Sequence, residues 1–179
     1  MSLRNTKEYY GSITKLFHWI IALAVILMLA AGFSFDFIHN NAFRHDLVGI
    51  HKATGLTILL FSCLRLLWWL VNIMPPLPTS MPTWQRLAAH CTHLLLYLLT
   101  IIMPISGWIM TSAAGHTTNI FGLLKVTAPG ITKGDHIGHT MHEWHHFGAW
   151  ILLSIVILHT AASLKHHFID KDNILKRII

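Results

Sequence analysis

Four long apolar runs, set apart by polar, Pro-bearing or Gly-bearing links, constrain this chain more than any motif does. They cover roughly residues 16–35, 47–73, 87–112 and 144–164. A helix rises about 1.5 Å per residue, so about 20 mainly apolar residues cross the hydrocarbon core of a bilayer. Backbone polar groups in hydrocarbon must be satisfied within their own segment, so runs of this length read as helices. The expected fold is all-α: an integral membrane four-helix bundle, one domain over 1–179. The composition, 54% hydrophobic and only 11% charged over 179 residues, points the same way.

The links carry their own signals. The second run closes at Met74-Pro75-Pro76-Leu77-Pro78. Pro104 and Gly107 lie inside the third, where membrane helices tolerate both. The Gly-containing stretch 113–140 is polar and longer than an ordinary helix connection, and is expected to be a loop. The basic start and Ala30-Ala31-Gly32 imitate a secretory leader. An ionisable His18 at the start of the apolar run suits a retained helix better. Cys63 and Cys91 sit in apolar runs and are expected to be free thiols. The sequence lacks C-x-x-C-H, the signature of covalently attached c-type haem.

Four spans put both termini and the 74–86 link on one side. Nine Lys or Arg fall there: Arg4, Lys7, Lys15, Arg65, Arg86, Lys165, Lys171, Lys176 and Arg177. Four fall opposite: Arg44, Lys52, Lys125 and Lys133. The positive-inside rule therefore puts both termini in the cytoplasm. It also explains the net charge of +6 without a nucleic-acid partner.

HEWHH at 142–146 contains H-E-x-x-H, the zinc-protease signature, with Glu143 as general base. A catalytic zinc needs a third protein ligand. The extended pattern would want Gly at 149 and His at 152, where the chain has Ala149 and Leu152. Glu143 is the last Glu, and Asp170 and Asp172 lie past the fourth run on the other side. Proteolysis is set aside.

The fifteen histidines then need another account. His39, His45, His116, His136 and His139 read as loop residues on one side, and His166 and His167 as tail residues on the other. His18, His51, His90, His93, His145 and His159 fall within or at the ends of spans, where ionisable groups are costly and serve function. His145 and His159 are fourteen residues apart, so they share a helix face at depths about 21 Å apart. His146 turns to nearly the opposite face, and His142 lies about 100° from that line. Antiparallel spans pair His18 with His159 near the cytoplasmic end and His51 with His145 near the outer end. Two bis-imidazole sites stacked across a bilayer suit two haem b groups, whose irons take a ligand from each face. His90 and His93, also at the cytoplasmic end, could replace His18 or His159.

The stretches "KLFHWIIAL", "VGIHKATGLTILLFSCLRLLWW", "LAAHCTHLLLYLLTIIMPISGW" and "EWHHFGAWILLSIVILHTAASLKHHFIDKDNILKRI" together resemble the bacterial dihaem cytochrome b561 family over nearly the whole chain. The resemblance implies haem ligation by His18, His51, His145 and His159, and leaves His90 and His93 as bystanders or quinone-side residues. One departure concerns the outer site. Family members often carry Glu after the outer ligand of the fourth helix, where this chain has His146.

The resemblance further implies an oxidoreductase in the bacterial inner membrane, embedded in lipid, passing single electrons to ubiquinone. Superoxide oxidases, which take electrons from superoxide outside the membrane, are the members it resembles. Arg44, Lys52, Lys125 and Lys133, with six outer His, could steer that anion, although four acidic residues lie beside them. The alternative is a cytochrome b subunit relaying electrons from a partner dehydrogenase or hydrogenase to quinone. Either form could act as a homodimer or with a partner redox subunit. Arg65, fourteen residues after His51, is expected near the cytoplasmic-end haem as a propionate partner, with snorkelling to headgroups as the rival. Quinone reduction consumes protons, so its site is expected among Lys15, Trp19, His90, His93, His166 and His167. His166, one heptad past His159, is the expected proton donor.

Overall fold

A computed structural model describes residues 2–78 and 81–179; Met1, Thr79 and Ser80, the last two in the expected 74–86 link, lie outside it. Four helices dominate: α1 Ser12–Ser34, α2 Asn41–Leu70, α3 Thr83–Ala113 and α4 Ile137–Phe168. Each is long and apolar enough to cross a membrane. The antiparallel strands β1 (Thr118–Ile120) and β2 (Leu124–Val126) lie between α3 and α4.

All four helices start before their apolar runs, and α3 and α4 also end beyond theirs, because hydropathy marks only the depth of hydrocarbon, whereas a helix continues until its backbone bonds are capped or broken; α1 ends at Ser34 and α2 at Leu70, short of the expected 35 and 73. α2 starts at Asn41, where the Asn40 side chain accepts from the Phe43 amide. His45, expected in a loop, is therefore helical. α4 begins at Ile137 and runs to Phe168, so His139, expected in the outer loop, and His166 and His167, expected in the tail, are helical too. The 113–140 stretch is not a plain loop. Its hairpin pairs Thr118 with Val126 and Ile120 with Leu124, and turns through Phe121 and Gly122, both at positive φ (49° and 79°). β1 packs on α2, and Thr118 is buried.

The core is thin, as expected when lipid is the outer solvent. Ile21, Val25 and Leu29 of α1 meet Ile58 of α2, Met103 of α3 and Leu152 of α4. Many large apolar side chains, such as Leu23, Leu27, Leu60 and Leu158, face outward. Small residues let backbones approach, the usual solution where helices associate without a hydrophobic drive. A Cβ on Gly138 would lie 2.6 Å from the Ala113 Cβ, and one on Gly148 would lie 2.5 Å from the Met103 Sδ.

Both chain ends and the 70s link gather at one end of the bundle, the termini end; the hairpin marks the other. Asn5 ties this end together. Its Nδ2 donates to the Ile73 carbonyl (2.8 Å), and its Oδ1 accepts from the Gly11 amide (2.9 Å) and the Thr14 hydroxyl (2.7 Å). Trp68 donates to Thr14 (3.0 Å), Trp19 to the Ile178 carbonyl (2.9 Å) and Arg177 to the Pro76 carbonyl (2.6 Å). Lys15 donates to the Ile179 carbonyl. Burial in this knot pushes the Tyr10 phenol above its ordinary value; Tyr97 adds to the rise, and Arg177 and Arg65 oppose it.

The close α3–α4 approach at Gly138 makes a direct prediction. Gly138→Val forces the helix ends apart and should cost about 1–3 kcal/mol, read as earlier thermal loss of helical circular dichroism in detergent. Gly49→Val, where an added Cβ meets nothing within 4 Å, should leave the transition nearly in place.

Candidate functional site

Two imidazole pairs lie inside the bundle. His51 of α2 and His145 of α4 have ring centroids 6.4 Å apart, towards the hairpin end. His18 of α1 and His159 of α4 are 6.3 Å apart, towards the termini end. Two metal–nitrogen bonds of about 2 Å and two ring radii of about 1.1 Å span roughly 6 Å, so each pair is spaced to hold one metal ion from opposite sides. That spacing and the neutral nitrogen donors fit the iron of a haem.

α3 supports the hairpin-end pair without contributing to it. The His145 Nδ1 lies 3.0 Å from the Met103 carbonyl and 3.0 Å from the Ser106 hydroxyl, which itself donates to that carbonyl (2.8 Å). A carbonyl only accepts, so Nδ1 carries the proton and Nε2 keeps the free lone pair. Gly107 makes room for the ring, since a Cβ there would sit 3.0 Å from the His145 Cε1. His51 differs. Its ring packs edge-on to Phe35 at 5.2 Å, and its buried Nδ1 has no hydrogen-bond partner among the described residues. A buried polar atom left unpaired costs about 1–3 kcal/mol.

At the termini end His159 has a second neighbour, His93 of α3, at 5.7 Å. His93 is exposed on the flank, as is His90, while His18 and His159 are half-buried. Arg65 reaches the same region. Its guanidinium lies 5.0 Å over the Tyr97 ring centre, and its buried Nε has no hydrogen-bond partner among the described residues.

His166 is held differently from the stripe arithmetic. Its ring, 13% exposed, lies with Nδ1 2.7 Å from Asp172 and 3.0 Å from Asp170, while Lys165 pairs with Asp170 at 2.6 Å. The tail turns back after Phe168 and brings these carboxylates to it, a fold reversal that helical periodicity does not encode. They border a cleft of about 240 Å³ with Pro78, Met81, Pro82 and Gln85. Trp19 and Lys15, also expected beside quinone, are tied to the C-terminal carbonyls.

HEWHH divides as its helical spacing requires: His145 turns inward, and His142, Glu143 and His146 are exposed. Among the described residues, no third metal-binding side chain converges on His142 and His146. Near them a cleft of about 610 Å³ is bordered by Lys52, His116, His136, His139 and His142. Of the four basic residues expected to steer an anion, Lys52 alone borders this cleft; Lys133 packs against Gly115, and Lys125 lies on β2.

A membrane bundle in which one helix contributes a ring to each of two imidazole pairs at different depths is the frame of a transmembrane electron-transfer cytochrome. Residues 9–179 match the sequence profile of prokaryotic cytochrome b561, and the chain belongs to that family. It is 36% identical to cytochrome b561 homolog 2 of Escherichia coli K12, over all of this chain and 95% of that protein. It is 29% identical to the probable superoxide oxidase CybB of Yersinia pestis, over 90% of each chain. A third relative, the probable Ni/Fe-hydrogenase B-type cytochrome subunit of Rhizobium leguminosarum, is 21% identical over 98% of this chain and 88% of that one. Membership makes this a membrane electron-transfer protein of a family that binds b-type haem.

The α3 support predicts graded effects. Gly107→Val should drive the His145 ring aside and alter the reduced-minus-oxidised haem spectrum of the purified protein. Ser106→Ala should alter it less, because the Met103 carbonyl still holds Nδ1.

Proposed function

We propose that the chain binds two non-covalent haem b groups, one between His18 and His159 and one between His51 and His145, and carries single electrons between the two faces of the membrane. The observation that carries this reading is the matched spacing of the two imidazole pairs, 6.3 and 6.4 Å. Haem held by these pairs would supply a reversible one-electron couple. Arg65, with its unpartnered buried Nε, would hold a propionate at the termini end.

The proposed donor is superoxide and the proposed acceptor ubiquinone, with both termini cytoplasmic in the inner membrane of a bacterium. The name of the Yersinia relative and the cleft bordered by Lys52 and four histidines beside the hairpin-end pair support an anionic donor. Two superoxide anions each lose one electron and leave as dioxygen. One quinone takes two electrons and two protons and leaves as quinol. His166, held by Asp170 and Asp172, would pass those protons from the cytoplasmic side. The second reading, a subunit relaying electrons from a docked dehydrogenase or hydrogenase, is favoured by the name of the Rhizobium relative.

Acidified acetone should release two haems per polypeptide. His159→Ala should lose the termini-end haem and keep the other. The untagged chain in lipid nanodiscs, given superoxide and a short-chain ubiquinone, should form quinol, and His159→Ala should not. Two haems with no quinol formed from superoxide would favour the subunit reading; one haem per chain would sink the paired-site assignment.

A further inference from the structure

We propose that His142 and His146 form a surface site for a divalent transition-metal ion at the hairpin end of α4. The two residues sit one helical turn apart, and their rings lie side by side, with centroids 4.4 Å apart and planes 48° from each other. This arrangement differs in kind from the interior pairs. Rings about 6.4 Å apart approach an ion from opposite faces. Rings stacked along one helix face present nitrogens to an ion from the same side, as two adjacent corners of a tetrahedral or square set.

Three observations support a site rather than a pair of idle surface side chains. Both rings are exposed, and among the described residues neither makes a hydrogen bond or ion pair, so both are free to ligate. α4 runs unbroken from Ile137 through Phe168, so no chain ordering opposes chelation. His139, one turn before His142, borders the same cleft and adds an imidazole to its wall without converging on the pair. Imidazole donors suit zinc, copper and nickel rather than magnesium or calcium. With two protein ligands and water for the rest, binding would be reversible rather than structural.

The other concentration of metal-binding side chains, His166 with Asp170 and Asp172, brings three ligand atoms within 4.8 Å of one another. Its charges are already matched, because Lys165 lies 2.6 Å from Asp170 and the His166 ring lies 2.7 Å from Asp172. An ion there must displace an ammonium group, whereas among the described residues no charged partner occupies His142 or His146.

The site has a consequence that rests on the proposed haem between His51 and His145. His145 lies between the two ligands in sequence and turns its ring inward. A bound divalent ion would add positive charge within one helical turn of it and favour the reduced state of that haem.

The test uses the full-length, haem-loaded protein purified without an affinity tag. Zinc chloride is titrated in competition with a chromophoric zinc indicator, and cupric ion is read by electron paramagnetic resonance. The wild type should bind one competing zinc ion and show nitrogen hyperfine structure with copper. His142→Gln and His146→Gln should each weaken zinc about tenfold or more, with unchanged haem spectra. His166→Gln should leave zinc binding as it was. Wild-type affinity in the double variant His142→Gln/His146→Gln, or loss of the ion in His166→Gln, would overturn the proposal. Zinc should also raise the midpoint potential of one haem in the wild type and not in the double variant. Zinc binding lost in the double variant, with no potential shift in the wild type, would uphold the metal site and count against the haem placed at His145.

Discussion

An imidazole inside hydrocarbon is costly and is retained where it meets another group, and the meeting of such rings from different helices organises this bundle. α4 carries two such rings fourteen residues apart, and every other helix is positioned with respect to them. α1 brings His18 to one and α2 brings His51 to the other. α3 brings a carbonyl, a hydroxyl and a glycine to His145, and a third imidazole to His159. The apolar faces keep these elements in the membrane without saying how they should meet, since lipid solvates a leucine as well as a neighbouring helix does.

α3 shows how much support a helix without a paired histidine can supply. Pro104 lies inside it, and the Met103 carbonyl just before the proline holds the His145 Nδ1. Ser106 closes the triangle, and Gly107 opens the space the ring occupies. The two ends of the bundle are built by different means. At the hairpin end, small residues on α3 and α4 bring the backbones together. At the termini end, Asn5, Thr14 and Trp68 and the tail residues from Arg177 onward knit the chain ends to the 70s link through hydrogen bonds.

The two imidazole geometries of α4 follow from one periodicity. Residues fourteen apart share a face and point into the bundle at two depths; residues four apart share another face and stack side by side on the surface. HEWHH thus holds one member of an interior pair and both members of an exterior one within five residues.

Much of this was legible in the residues alone. Span number, the alternating direction of the helices and the common face of His145 and His159 follow from hydropathy and a fixed helical repeat, which need no tertiary information. The resemblance carried by the four quoted stretches named the family that the comparison then showed. Helix ends were less legible, because His45, His139, His166 and His167 lie on helical turns beyond the apolar runs. The hairpin at 118–126 was not read at all, since three-residue strands leave almost no pattern. Packing alone decided that the Met103 carbonyl and Gly107 meet His145, that Arg65 stacks on Tyr97, and that the tail brings Asp170 and Asp172 to His166. Each of these contacts depends on the rotation of one segment about its axis relative to another. That rotation is set by side-chain packing between segments, and it has no signature in the periodicity of either segment alone.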